Sequence, residues 1–338
     1  MIGIRAAARR AFPAFAERIA LRADEISAAL ADEHHLVAWD REQLIGAMQS
    51  RLAAMAAAGP HRADRGPTAG VRIVERRNQP LEAVDLAWSW LLADRPVRFF
   101  AEPGACSATA MLMADIAALL PPGALSHDPD VDTDPWPVVG VEQAVARVAW
   151  VDETADRELA AYSLARTCLR RAGMDPRAVR IACVAGPTDL LRRHLHRLWV
   201  GAQLGSASDP DSFAGPVDEA TRVAFEAAQA AWSADPRVEV WCAGGVLEHA
   251  ATARPFLAPA AFAVDWPPPE LPMAGPMCCI VRCTAAQGEA TVRAAHAAGA
   301  AVVQTGGRPL AGVGGLKHIR GAVLIERLPP GLPEPRPV

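Results

Sequence analysis

The residues with the most intrinsic reactivity are seven cysteines: Cys106, Cys168, Cys183, Cys242, Cys278, Cys279 and Cys283. A thiolate is both a nucleophile and a metal ligand, but the spacing of these seven does not organise them into a site. Cys278, Cys279 and Cys283 lack a second cluster at zinc-binding spacing, so no metal is expected. The count is odd, and Cys168 and Cys183 fall in a helix-like and a strand-like apolar run, which favours buried free thiols. His194 and His196 are two apart on a helical stretch and diverge, unlike ligand pairs four apart, so they read as surface residues. His34-His35 reads as a helix end. Gly312-Val313-Gly314-Gly315 reads as a turn before it reads as a phosphate cradle. Asn78, in Asn78-Gln79-Pro80-Leu81, reads by itself as the cap of a helix that begins near Leu81. Glu142 reads as a solvated carboxylate at a loop–strand border.

These residues need elements to hold them. Phe12, Phe15, Ile19, Ile26 and Leu30 recur at helical period, so the N-terminus is expected to be an amphipathic helix packed on the body of the fold. A second helix runs to about Ala58, and residues 59–70, with their Pro and Gly, form a linker or turn. Residues 71–74 read as a strand, the run through Trp88, Leu91 and Leu92 as a helix, residues 97–100 as a strand and residues 106–120 as a helix. Residues 126–139, rich in Asp and Pro, read as a loop. The alternation then resumes, with strands at 147–151 and 179–185, helices at 155–172, 188–199 and 217–234, and an extended stretch at 238–242. A short apolar strand at 277–283, a helix at 285–298, a strand at 300–303 and a strand-like run at 322–328 complete the chain. Such alternation predicts an α/β fold with mainly parallel sheets covered on both faces.

With 338 residues, 51% of them hydrophobic, the chain can bury a large core, and a formal net charge of -4 advertises no nucleic-acid or anionic-membrane surface. Arg5, Arg9, Arg10, Arg18 and Arg22 interrupt the early apolar residues before any stretch long enough for secretion or spanning, so a cytoplasmic location and no membrane partner are expected.

Several segments in chain order resemble the aldehyde dehydrogenase superfamily. Asn78-Gln79-Pro80, between a short strand and an apolar helix, resembles that family's Asn-x-Pro turn, whose Asn helps hold the oxyanion formed when a thiolate attacks an aldehyde. Helix, small turn and strand then lead into Glu102-Pro103, where the family has Lys-Pro and the lysine contacts the cofactor ribose. Glu142 opens a stretch similar to the strand that begins with the family's general base, which activates water, although Ala144 and Val145 replace two glycines. Residues 169–184 resemble the nucleophile loop; Gly173 and Arg180 fit, but Pro176 stands where the cysteine is expected. Residues 209–217 match the acidic turn before Gly-Pro-Val, in detail closest to the succinylglutamate-semialdehyde dehydrogenase branch. Pro272-Met273-Ala274-Gly275-Pro276 lies where the family has Glu-x-Phe-Gly-Pro, whose Glu binds the nicotinamide ribose.

The resemblance implies an aldehyde-dehydrogenase-like α/β fold with parallel-sheet layers, helices on both faces and a curtailed nucleotide-binding domain. The stretch from Glu102 to Glu142 is too short for the family's remaining nucleotide-binding strand, its Gly-rich turn and the helix that receives the pyrophosphate. It implies a remnant of the cofactor-binding domain over 1–141, a catalytic-like domain over 142–305 and a C-terminal arm and tail over 306–338. Proline has no nucleophilic atom and no N–H, so Pro176 can neither form a thiohemiacetal nor donate to an oxyanion. Asn78 and Glu142 are then vestigial catalytic positions, no cofactor or metal is expected, and the chain is expected to be a pseudoenzyme that forms a homodimer or a heteromer with a related protein. The alternative is an NAD(P)-dependent oxidoreductase acting on an aldehyde or acyl group, with Cys168 as the substitute thiol.

Overall fold

The structure is a computed structural model that describes residues 3–58, 70–127, 136–140, 147–176, 178–248, 253–307, 310, 313 and 317–319. The chain divides into two compact units, Met1–Gln143 and Ala144–Val338.

The first unit begins with three helices, α1 (Ile4–Leu21), α2 (Ala23–His34) and α3 (Ala38–Ala58). The expected single N-terminal helix is thus two. The helical path breaks at Arg22 (φ -97°, ψ 9°), whose guanidinium reaches Asp115 at 2.8 Å and Glu25 at 2.6 Å. The apolar stripe continues across the break: Phe15, Ile19, Ile26 and Leu30 are all buried. Phe15 stacks on Trp88 with ring centroids 5.0 Å apart, and Phe12 tilts against the same indole at 5.7 Å. Then follow β1 (Val71–Glu75), α4 (Glu82–Leu92), β2 (Val97–Ala101), α5 (Ser107–Leu119), β3 (Leu125–His127) and β4 (Val138–Gly140). The strands form one sheet in the order β3-β2-β1-β4, and every pairing is parallel. Along β1, Val71, Ile73 and Glu75 are buried while Arg72 and Val74 are half-buried, the period-2 alternation of a strand. Residues 126–139 are not all loop: their two ends complete β3 and β4, while 128–135 lie outside the described residues.

The second unit contains β5 (Arg147–Val151), α6 (Arg157–Cys168), a 3-10 turn (Arg170–Gly173), β6 (Val179–Ala185), α7 (Asp189–Val200), α8 (Glu219–Ala234) and β7 (Glu239–Cys242). The hairpin β8 (Gly245–Leu247) and β9 (Phe256–Ala258) is followed by β10 (Ala260–Asp265), β11 (Met277–Cys283), α9 (Ala285–Ala297), β12 (Ala301–Thr305) and β13 (Lys317–Ile319). Seven strands form a sheet in the order β13-β12-β5-β6-β11-β10-β7, parallel throughout except for β7 against β10. Central β6 and β11 read as near-continuous apolar runs because both faces are covered. Gly288 lets α9 approach β5 closely, since a Cβ there would stand 2.0 Å from the Trp150 ring. The Ala-rich strands β9 and β10 were not anticipated from sequence, and the helix expected over 155–172 ends at Cys168. The strand expected at 322–328 lies outside the described residues. No described helix is long and apolar enough to cross a membrane.

Candidate functional site

Asn78 belongs to the first unit, on the turn that follows β1, and it is exposed. It does not cap α4. The N-cap is Leu81, in the left-handed region at φ 69°, with no side-chain cap of its own. The helix end is satisfied instead by a buried carboxylate at the end of β1. Glu75 Oε1 accepts from the Leu81 N–H (3.0 Å) and the Thr109 hydroxyl (2.5 Å), and Oε2 from the Ala83 N–H (3.2 Å). Burial pushes the Glu75 carboxyl up to about 8, against the three donors, which pull it down.

Glu102, which by resemblance is expected to stand for the family's lysine, is half-buried just after β2, and its N–H donates to the Glu75 carbonyl at 3.1 Å. The next helix end is treated like the first. Ser107, the first residue of α5, donates its N–H to Glu33 Oε2 at 2.8 Å and its hydroxyl to Oε1. At both helix starts that follow β1 and β2, backbone donors are therefore already engaged by carboxylates of the chain itself. An anion would meet occupied donors there rather than open N–H groups.

In the second unit the segment resembling the nucleophile loop is built on strain and one arginine. Arg171 (φ 50°), Ala172 (φ 51°) and Gly173 (φ 74°) are three successive left-handed residues, which end the helical path after α6. A Cβ on Gly173 would stand 2.0 Å from the Gly275 carbonyl oxygen. Arg180, on β6, locks this approach: one of its terminal nitrogens donates to the Gly275 carbonyl and the other to the Gly173 carbonyl. Burial lowers the affinity of this guanidinium for its proton. Asp175, 2% exposed, faces Arg170 at 3.4 Å and Arg171 at 3.9 Å. Pro176 follows, half-buried, before the start of β6. Thus Gly173, Arg180 and the Gly275-Pro276 turn, far apart in sequence, do meet. Pro272 is exposed and uses its carbonyl to accept from Trp232 Nε1 at 2.8 Å. The acidic turn is a local device: Asp209 accepts from the Asp211 N–H at 3.0 Å and the Ser212 hydroxyl at 3.0 Å. Glu142, Ala144, Val145 and most of residues 312–315 lie outside the described residues.

Every cysteine is a free thiol, five of them buried and Cys242 and Cys283 half-buried. Burial pushes Cys106 and Cys279 up to about 12 and raises Cys242. Cys278 is raised well above the ordinary thiol range by its hydrogen bond to Cys168 and by burial. Cys168 is therefore near the Gly173–Pro176 loop through Cys278 and Arg180, but it is 0% exposed. Cys183 is raised, and Cys283 lowered, because the Cys183 thiol hydrogen-bonds the Cys283 sulfur. Cys283 is the sole described thiol held below its ordinary value, yet it sits opposite Ala185, at the far end of β6 from Pro176. A seven-residue strand spans roughly 20 Å, so Cys283 cannot serve the loop. His194, expected at the surface, is half-buried, with Nδ1 3.7 Å from Glu158; His196 is exposed. His34 and His35 end α2 as expected, with His35 in the left-handed cap.

No protein-family profile and no curated protein sequence matches the chain. Solved structures do. The chain is similar to aldehyde dehydrogenase 21 from Physcomitrella patens, solved with the reaction product succinate, at 14% identity and a TM-score of 0.73 over 90% of this chain and 73% of that one. It is similar to an NAD-dependent aldehyde dehydrogenase from Sinorhizobium meliloti at 16% identity and a TM-score of 0.75, covering 91% of this chain and 71% of that one. Against a variant of the bifunctional proline utilization A protein of Bradyrhizobium japonicum the values are 20% and 0.71, and 90% of this chain corresponds to 36% of that one. At these identities the likeness speaks to backbone architecture: the chain has the fold of the aldehyde dehydrogenases.

Proposed function

We propose that this chain is an aldehyde dehydrogenase superfamily protein without dehydrogenase activity, retained as a binding or assembly subunit that forms a homodimer or pairs with a related chain. The observation that carries the reading is Pro176. The loop that precedes β6 is built as a rigid, Arg180-clamped turn, yet it presents a ring with no nucleophilic atom. Of the thiols described, Cys168 is sealed under that turn and Cys283 lies at the other end of the strand.

The dinucleotide that the fold family uses does not fit the residues present. Glu102 puts a carboxylate where a ribose-binding lysine is expected, and Pro272 replaces a ribose-binding Glu. The N–H groups of Leu81, Ala83 and Ser107 are taken by Glu75 and Glu33, so these helix starts offer a pyrophosphate no vacant donors. In this reading residues 1–141 are a curtailed cofactor-binding domain, 142–305 a catalytic-like domain and 306–338 an arm that serves assembly.

A second reading is favoured by one specific observation, the proximity of Cys168 to the same loop: an oxidoreductase acting on an aldehyde or acyl group with NAD(P) and a relocated thiol. Thermal unfolding with and without NAD and NADP separates the two, because a ligand that binds the native state must raise its stability by mass action. No shift at millimolar cofactor is the expected result and directs the search to protein partners. A clear shift, followed by aldehyde turnover lost in Cys168→Ser, would overturn the proposal.

A further inference from the structure

A second chemistry-bearing cluster lies in the first unit, where the end of α2 meets the start of α5. One carboxylate oxygen of Glu33, one ring nitrogen of His34 and Sγ of Cys106 all lie within 4.8 Å of one another. We propose that these three residues form a binding site for a borderline-soft divalent transition-metal ion, Zn2+ being the physiological candidate, with water at the fourth position.

The donor set argues for this class of ion. A thiolate, an imidazole and a carboxylate together suit zinc, whereas calcium, magnesium and alkali ions require oxygen ligands throughout. A tetrahedral zinc ion with these ligands places its donor atoms ~3.5 Å apart, a spacing that side-chain rotation can reach from donors no more than 4.8 Å apart. The elements fix where two of the donors start. His34 is the last residue of α2, and Cys106 is the N-cap of α5, held at φ -68° and ψ 125°. Glu33 is oriented from behind by Ser107, whose N–H donates to it at 2.8 Å together with the hydroxyl. A carboxylate has lone pairs enough to accept both bonds and still bind an ion, and such support is the usual companion of a metal ligand.

The access is graded as a metal site requires: Cys106 is buried, His34 half-buried and Glu33 exposed. An ion can enter over Glu33 and leave its fourth position to solvent. Sequence spacing hides the cluster, because Glu33 and Ser107 are 74 positions apart and the expectation of no metal rested on the neighbouring cysteines near β11. This site does not rest on the pseudoenzyme reading; Glu33 enters both, there through its bonds from Ser107 and here as a ligand.

The test is cobalt(II) titration of the full chain under reducing conditions, read by absorption. One equivalent is expected to produce a thiolate-to-cobalt charge-transfer band in the near ultraviolet with intense tetrahedral d–d bands, and zinc should bleach both. Cys106→Ser should abolish the charge-transfer band. Because replacing a buried thiol can itself unfold a protein, His34→Gln is the second variant; it should weaken cobalt affinity by at least ~10-fold with the far-ultraviolet circular dichroism unchanged. The proposal is overturned by the absence of a thiolate band, by a band that survives Cys106→Ser, or by equal stabilisation from calcium or potassium ions, which would assign the site to an oxygen-ligated cation.

Discussion

Buried Glu75 in the first unit and half-buried Arg180 in the second each hold a turn. Removing Glu75 strands the Ala83 N–H and the Thr109 hydroxyl hydrogen inside the core, while the Leu81 N–H keeps the Thr109 oxygen as an acceptor. Glu75→Ala is expected to cost roughly 3 kcal/mol of unfolding free energy in urea titrations, since each buried orphan costs about 1–3 kcal/mol. The raised carboxyl also has a sign. Its proton is held more tightly in the native than in the unfolded chain, where the ordinary value is 4.5. Its stabilisation is therefore complete below the unfolded value and lost as pH rises toward about 8. Urea midpoints at pH 5 and pH 8 should differ more for the wild type than for Glu75→Gln, which has no proton to lose; equal differences would refute the assignment. Arg180→Met removes the bridge between the Gly173 and Gly275 carbonyls and should cost roughly 3 kcal/mol or more, charged hydrogen bonds being worth about 1.5–3 kcal/mol each.

At the scale of elements, tertiary packing overrules local rules in two places. Pro13 sits in the interior of α1, where it removes a helix N–H, yet the helix continues because Phe15 and Trp88 bury its inner face. Pro13 is exposed, so Pro13→Ala should stabilise the protein by roughly 1–3 kcal/mol, a gain that a thermal melt resolves easily. Gly173 is the opposite case. Its positive φ and the 2.0 Å between its would-be Cβ and the Gly275 oxygen leave no room for a methyl group. Gly173→Ala should lose more than ~2 kcal/mol and loosen the turn that carries Pro176. The end of α9 nearest β11 follows ordinary rules. Thr284 and Gln287 form a reciprocal capping box, and Thr284→Ala should cost about 1 kcal/mol.

For the whole molecule, the amino-acid sequence by itself determined the class of fold. Alternating apolar strands and amphipathic helices force parallel sheets, and the two larger sheets are parallel apart from β7. The order of motifs around Asn78, Pro176 and Gly275 also points to the aldehyde dehydrogenase architecture, because turn chemistry and glycine requirements are local and survive at low identity. Less local features were not legible. Ala260–Asp265 forms a strand despite its alanines, since burial between β11 and β7 outweighs weak propensity. Arg22 splits the N-terminal helix through an ion pair with Asp115, a partner 93 positions away. The partnerships of Glu75 with Thr109, of Arg180 with two distant carbonyls, and of Glu33 with Cys106 were decided by tertiary structure alone. A side chain's type announces what it can bond, but only the folded chain, by excluding water and bringing remote donors together, decides which bonds form and what each thiol or carboxyl can do.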